Sequence, residues 1–286
     1  MRFAVIDVGS NSVRLMLSDD DKTLYKKIAV TKLAQNLMKE QVLSKEAILR
    51  TASAVSFFVS EAKEQKAQTI YIFATAAVRN ARNGCEFTSL VKQTTGIDVE
   101  VVSGDVEAKI GLIGALNGED GGVIDVGGAS SEIGVFKAEN IIYTHSLKWG
   151  AVTLTDQCGQ NKKIALSHAR SIVNDYGQVP NSNFYAVGGT ATSIASMLIG
   201  SKVYQPELVN GYVVSKEMID RLVDKLYSST IEERKRINGL MPERAEIIAG
   251  GVAIIWAIME KLNLDSFKVS ERDNLEGYLS LKRGKL

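Results

Sequence analysis

The pentapeptide Val-Ile-Asp-Val-Gly occurs twice in this chain, at residues 5–9 and 123–127. Each copy runs into a short stretch rich in Gly, Ser and Asn and then into a second apolar segment, which is the pattern of a β-hairpin. A similar order of strand and helix patterns follows each copy, so more than five residues are repeated. The repeat predicts an α/β chain built from two similar halves with a cleft between them, and we expect both hairpin turns to face that cleft.

The hydrophobic periodicity defines the two halves. In the first half, period-2 and period-3.6 segments alternate in the order βββαβαβα, at residues 3–8, 13–18, 24–31, 44–62, 69–74, 85–95, 97–102 and 106–116. A polar, glycine-rich break at 118–122 precedes the restart, which gives predicted domains 1–117 and 118–286. The second half is predicted to contain strands and helices at 122–126, 132–136, 141–147, 164–176, 184–187, 216–227, 231–238, 243–262 and 267–270. A further helix begins within 188–200, and a last helix begins at about residue 274.

Charge and cysteine content limit the partners and the location of the protein. The net charge is +1, from 34 Lys and Arg against 33 Asp and Glu, so no global field attracts nucleic acid or anionic lipid. The longest apolar run, 247–259, is shorter than the roughly 18 residues that a membrane span requires. Cys85 and Cys158 have no metal or redox spacing. We therefore expect a cytoplasmic protein that binds neither nucleic acid nor membrane.

Three glycine-rich turns, at residues 9–12, 127–131 and 188–190, are candidate phosphate sites. Consecutive backbone N–H groups in such turns form a concave anion site, and the third turn opens a helix whose positive end favours phosphate. Asp7 and Asp125 precede the first two turns at matching positions. Two interpretations stay open: the carboxylates bridge to phosphate through Mg²⁺, or they only cap their turns.

Several segments together resemble the Ppx/GppA family of exopolyphosphatases and guanosine pentaphosphate phosphohydrolases. The resemblance rests on IDVGSNSVRL, ATAAVRNARNG, VEVVSGDVEAKIG, VIDVGGASSEIGVF, SLKWGAVTL and AVGGTATSIA, in this order and spacing. It implies duplicated ribonuclease H-like domains of the actin, Hsp70 and sugar kinase superfold, here in a short two-domain form.

The resemblance also implies roles for individual residues. Glu107 matches the catalytic glutamate that activates water, and Arg79 matches an arginine that neutralises phosphate charge. Asp125 and Glu132 match an acidic pair that acts in catalysis and holds Mg²⁺, with Asp7 as a further metal ligand. The matching phosphate-binding residues are Ser10, Asn11, Ser12, Arg14, Gly127, Gly128, Ser130, Ser131, Gly188, Gly189 and Thr190. For Glu107 the alternative is a helix-dipole glutamate on a solvated face.

Three segments depart from the family pattern. Ala129 stands where the family has a third glycine, and a methyl group there weakens phosphate binding if that backbone position requires positive φ. Lys32 and Gln35 replace an arginine and a glutamate. The segment SERDNLEGYL resembles the family's S-x-x-G-L-R-E-G-x-L with the Gly and the Arg missing, and Leu275, which follows Asn274, lies near where the Arg is expected. These changes bear on substrate affinity more than on the fold.

The expected function is Mg²⁺-dependent release of terminal orthophosphate from polyphosphate or guanosine pentaphosphate, with guanosine tetraphosphate as a further ligand. One alternative is a non-catalytic sensor of the alarmone or of polyphosphate, and a less favoured one is an ATP-dependent small-molecule kinase of the same superfold. The sequence leaves the preferred substrate and the oligomeric state, a homodimer included, open.

Overall fold

The computed structural model describes residues 1–20 and 22–284 and contains two mixed β-sheets with helices. The strands are β1 Arg2–Val8, β2 Ser12–Asp19, β3 Lys22–Val30, β4 Thr69–Ala74, β5 Val99–Val101, β6 Gly121–Val126, β7 Ser131–Lys137, β8 Asn140–Leu147, β9 Phe184–Val187, β10 Val213–Ser215 and β11 Ser266–Val269. The helices are α1 Leu37–Glu40, α2 Lys45–Glu64, α3 Ala76–Asn80, α4 Gly84–Thr95, α5 Gly104–Leu116, α6 Ala151–Cys158, α7 Lys162–Val173, α8 Gly188–Ile199, α9 Pro206–Val209, α10 Lys216–Ser228, α11 Ile231–Arg234, α12 Ile248–Leu262 and α13 Asn274–Lys282.

The two sheets share one topology. The first has the strand order β3-β2-β1-β4-β5, and the second, β8-β7-β6-β9-β11-β10, repeats that order and adds one strand at the edge. In both sheets the first three strands are antiparallel neighbours, whereas β4 pairs parallel with β1 and β9 pairs parallel with β6. The predicted α/β fold of two ribonuclease H-like halves is confirmed.

The two copies of the pentapeptide form equivalent hairpins. The Gly9 backbone N–H donates to the Ser12 carbonyl at 3.0 Å, and the Gly127 N–H donates to the Ser130 carbonyl at the same 3.0 Å. Each hairpin carries an aspartate on its first strand: Asp7 lies on β1 and Asp125 lies on β6. The sequence repeat therefore corresponds to a structural repeat.

The chain forms two compact units. Unit 1 contains residues 1–107 and the chain from Tyr278 onward, and unit 2 contains residues 108–277. The divisions fall inside α5 and inside α13. The predicted boundary after residue 117 is thus displaced, because the chain passes from unit 1 to unit 2 within a helix and not at the glycine-rich break that follows it.

Each unit has its own core. In unit 1, the Tyr278 ring stacks on Phe73 with centroids 4.3 Å apart, and its hydroxyl donates to Glu100 Oε2 at 2.7 Å. In unit 2, the long apolar run predicted to be a buried helix is α12, which is buried from Ile248 to Met259. None of the helices in the described part of the chain combines the length and apolar character needed to cross a bilayer.

Several helices of unit 2 differ from the sequence prediction, among them α9, which no predicted segment covers. The helix predicted at 231–238 ends at Arg234, after the predicted Thr230–Glu233 capping box. The helix predicted at 243–262 begins only at Ile248, following a 3₁₀ turn at Pro242–Arg244. A helix was predicted to start near Trp149, but without bounds; the start of α6 is fixed by distant contacts, since the Ala151 and Val152 N–H groups donate to the Gly127 and Gly128 carbonyls, both at 2.8 Å.

Candidate active site

Glu107 lies in the first turn of α5. Ser103 precedes the helix, and its Oγ accepts a hydrogen bond from the Val106 N–H at 3.2 Å, an N-terminal cap. Glu107 exposes only 6% of its surface. The alternative interpretation, a glutamate on a solvated helix face, is therefore wrong.

The Arg79 guanidinium holds the Glu107 carboxylate. Arg79 lies near the end of α3, and its Nη1 donates to Glu107 Oε2 at 2.9 Å and to the Val102 carbonyl at 2.8 Å. The arginine is fixed by two acceptors, one of which is backbone. Its position is therefore set by the end of β5 as well as by the carboxylate.

The surroundings of Glu107 tune its proton affinity. Burial raises the pKa of Glu107 from 4.5 to about 7, because a low-dielectric site disfavours the charged form. Arg79 and a hydrogen bond from the Thr75 side chain oppose this rise, while the negative charge of Asp7 adds to it. A carboxyl group with a pKa near 7 is suited to accept a proton from water at neutral pH.

Asp7 and Arg14 form an ion pair across the first hairpin. They lie directly opposite each other on β1 and β2, and Asp7 is buried. Arg14 Nε donates to Asp7 Oδ2 at 3.1 Å, and Arg14 Nη2 donates to the same oxygen. The predicted phosphate ligand Arg14 and the predicted metal ligand Asp7 therefore balance each other's charge.

The turn that follows β1 is tied to the segment around Lys32. The Asn11 carbonyl accepts hydrogen bonds from the Thr31 and Lys32 N–H groups, both at 2.9 Å, and the Ser10 carbonyl accepts one from Ala34 at 2.8 Å. Asn11 is buried, and its Nδ2 has no hydrogen-bond acceptor among residues 1–20 and 22–284. A phosphate oxygen would supply one. Ser12, the remaining predicted ligand of this turn, begins β2.

Asp125 and Glu132 face each other in unit 2. They are opposite residues of β6 and β7, exposed by only 8% and 3%, and the Ser146 hydroxyl donates to Glu132 Oε1 at 2.7 Å. A Cβ atom on Gly188 would lie 2.5 Å from Asp125 Oδ1, so glycine at this position leaves room for the carboxylate. Like charges directly opposite on two strands repel. A cation bound between the two carboxylates would offset this repulsion.

The residues present fit Mg²⁺ in part. Within the described ranges, no group of three or more His, Cys, Asp or Glu side chains is arranged to hold a metal ion. Of the predicted metal ligands, Asp7 belongs to unit 1 and bonds Arg14, while Asp125 and Glu132 belong to unit 2. Mg²⁺ characteristically takes one or two carboxylates and completes its octahedron with water and substrate phosphates. Two buried carboxylates satisfy that requirement.

The turn at 127–131 has a fixed backbone, and one of its predicted ligands points elsewhere. Ser131 and Glu132 are consecutive residues of β7, so their side chains lie on opposite faces of the sheet. The Ser131 Oγ accepts a hydrogen bond from the buried Tyr176 hydroxyl at 2.7 Å. The predicted phosphate contact of the Ser131 hydroxyl does not fit this geometry. Ala129 is buried and is not among the described residues with positive φ, so its methyl group causes no backbone strain.

An arginine that the sequence analysis missed lies against the third turn. Gly188 opens α8 with φ of 75°, and the Thr190 hydroxyl donates to the Val126 carbonyl at 2.6 Å, which anchors the turn to β6. A Cβ atom on Gly189 would collide with the guanidinium of the buried Arg244. Arg244 adds a positive charge to the start of a helix. In the sequence, Arg244 belongs to the Pro-Glu-Arg that precedes the apolar run, and the hydrophobic periodicity assigned this tripeptide to the start of a helix.

Comparison with known proteins identifies the family of the chain. The model of the Ppx/GppA phosphatase family matches residues 5–282. The "Guanosine-5'-triphosphate,3'-diphosphate pyrophosphatase" of Photobacterium profundum is 27% identical over 94% of this chain, which spans only 56% of that protein. "Exopolyphosphatase 2" of Mycobacterium tuberculosis is 26% identical, with 96% of this chain and 97% of the relative covered. The crystal structure of the Aquifex aeolicus member of the Ppx/GppA family is 27% identical and superposes with a TM-score of 0.81, covering 100% of this chain and 98% of that one.

Proposed function

The chain belongs to the Ppx/GppA phosphatase family, and on this premise we propose that it is a Mg²⁺-dependent phosphoanhydride hydrolase. Its proposed reaction releases terminal orthophosphate from inorganic polyphosphate or from guanosine pentaphosphate. The relatives named for these two activities support both substrates. This chain spans 56% of the first of these relatives and 97% of the second, so the substrate of this chain is itself part of the proposal.

One observation carries the proposal: Glu107 is buried beside Arg79, and its pKa lies near neutrality. In the proposed reaction, a water oxygen attacks the terminal phosphorus atom while the bond from phosphorus to the bridging oxygen breaks. Glu107 accepts the proton that the water loses, and the bridging oxygen leaves with its electron pair on the shortened substrate. A positioned base typically contributes about 10²- to 10⁴-fold to the rate.

Two further sets of residues support phosphate chemistry. In unit 2, Asp125 and Glu132 would hold Mg²⁺, which when bound neutralises negative charge on phosphate oxygens. The backbone of the turns at 9–12, 127–131 and 188–190 would bind phosphate oxygens, with Arg244 adding positive charge at the third. The hydrogen bond from Arg14 to Asp7 supports a role for Arg14 in holding that aspartate in place.

The test is orthophosphate release from polyphosphate and from guanosine pentaphosphate with Mg²⁺. Wild type is compared with Glu107→Gln, which keeps the shape of the side chain and removes the base, and with Glu119→Gln, the same change at an exposed glutamate. We expect a loss of about 10²- to 10⁴-fold in the first variant and none in the second. Tight binding of either compound by wild type without any release would favour the sensor instead.

A further inference from the structure

The start of α13 is held rigidly. The Leu275 N–H donates to Asp273 Oδ1 at 3.0 Å, and the Asp273 N–H donates to Glu276 Oε2 at 3.0 Å, a reciprocal capping arrangement. Both acidic residues are buried. The first residue of the helix, Asn274, therefore has a fixed backbone.

Close packing of α5 against this helix start is possible because three positions lack side chains. A Cβ atom on Gly114 would collide with the Asp273 carbonyl, and one on Gly277 would collide with the Ile110 carbonyl. A Cβ atom on Gly111 would lie 3.0 Å from Asn274 Oδ1. The glycines let the two backbones approach closely, and the space beside Gly111 accommodates the Asn274 amide.

Asn274 uses this position to reach the acidic pair. The residue is 3% exposed, and its Nδ2 donates to Asp125 Oδ2 at 3.3 Å, across 149 positions of sequence. The nitrogen is the atom that faces the carboxylate, since the opposite orientation would place two acceptors against each other. The amide Oδ1 is also buried and has no hydrogen-bond donor among the residues that the structure describes.

We propose that Asn274 is a positioning residue: its amide holds Asp125 in the orientation in which Asp125 and Glu132 bind a divalent cation. The inference rests on the cation site of the proposed function. One Asp125 oxygen accepts from Asn274, and the other lies against the Gly188 backbone, so the carboxylate cannot rotate freely.

The test measures Mg²⁺ binding by titration calorimetry on the full chain without substrate. Two variants remove the amide: Asn274→Leu, which keeps a similar volume, and Asn274→Ala, which does not. The control is Asn210→Leu, the same change at an exposed asparagine whose Oδ1 accepts from the Glu271 N–H at 3.1 Å. Groups that orient metal ligands typically affect metal affinity by about 10- to 100-fold. We expect that loss in both Asn274 variants and no change in the control.

The outcomes separate this inference from the proposed function. Wild-type Mg²⁺ affinity in either folded variant, no Mg²⁺ binding by wild type, or loss of the fold in both variants overturns the inference. An effect in Asn274→Ala alone also overturns it, because the side chain then only fills space. A wild-type chain that binds Mg²⁺ but releases no orthophosphate refutes the hydrolase, whereas the calorimetric comparison still decides the role of Asn274. In an active enzyme, we also expect the Asn274 variants to require more Mg²⁺ for half-maximal activity, with the substrate KM at saturating Mg²⁺ unchanged.

Discussion

Replacing Arg79 by methionine tests whether Glu107 is the base. The guanidinium Nη1 lies 2.9 Å from Glu107 Oε2 and stabilises the ionised carboxylate, while burial holds its pKa at about 7. An opposite charge at such a distance typically lowers a carboxyl pKa by about 1 to 3. Without it, we expect the pKa of Glu107 to rise to roughly 8 to 10. The ionised fraction at pH 7 then falls from about one half to between roughly 10% and 0.1%.

The assay is the pH dependence of kcat/KM for orthophosphate release, measured from pH 5.5 to pH 10. In wild type, we expect kcat/KM to rise with pH and to be half-maximal near pH 7, the pKa of Glu107. In Arg79→Met, we expect this acidic limb to move up by about 1 to 3 pH units. Lost phosphate contacts of Arg79 would lower the plateau without moving the limb, so the two roles separate.

The control for this experiment is Arg82→Met. Arg82 lies close to Arg79 in sequence, but it is exposed and its Nη2 donates to the Glu40 carbonyl at 3.2 Å. We expect its acidic limb to coincide with that of wild type. An Arg79→Met enzyme with an unmoved limb would show that Glu107 is not the group whose ionisation controls the rate.

Three further predictions address stability and phosphate affinity. Because folding raises the pKa of Glu107 from 4.5 to about 7, the native state binds this proton more tightly, and the free energy of unfolding falls by roughly 3 kcal/mol as the pH rises between these values. Urea unfolding at pH 5 and pH 8 should show this decrease in wild type and not in Glu107→Gln. Equal pH dependence in both proteins would contradict the prediction. Mg²⁺ should raise the Tm of wild type but not of Glu132→Gln, whose remaining carboxylate Asp125 has lost its acidic partner; an equal rise in both would argue against this cation site. Gly189→Ala should displace the guanidinium of Arg244 and raise the substrate KM roughly tenfold, a loss of about 1.4 kcal/mol in binding free energy, with little change in Tm. An unaltered KM would show that Arg244 does not contribute to phosphate binding.

The sequence predicted those parts of the fold and site that depend on local patterns. The two hairpins follow from apolar runs around glycine turns, and the helix carrying Glu107 follows from Ser103 and the periodicity after it. The orientation of Ser131 was also within reach of the sequence. Its neighbour Glu132 lies on the same strand, and side chains alternate along a strand, so the two could not both face one ligand.

The residues that sequence analysis missed have partners far along the chain. Asn274 reaches Asp125 across 149 positions, and Arg244 lies against Gly189 because a 3₁₀ turn replaces the predicted start of a helix. Neither contact has a periodic or capping signal, since each depends on how closely two backbones approach. Glycine at positions 111, 114 and 277 carried that information, but a single sequence does not separate a glycine that permits close packing from one that only turns the chain.

The duplicated hairpins place different charges at equivalent positions of two halves that share one topology. At equivalent positions, Asp7 faces Arg14 in the first hairpin and Asp125 faces Glu132 in the second. Arg14 donates to the first aspartate, whereas a second carboxylate stands opposite the other aspartate, so a bound cation would offset the repulsion there. Under the proposed function, this difference in charge at one strand position would place the cation in the second half, whereas in the first half burial and Arg79 set the pKa of Glu107.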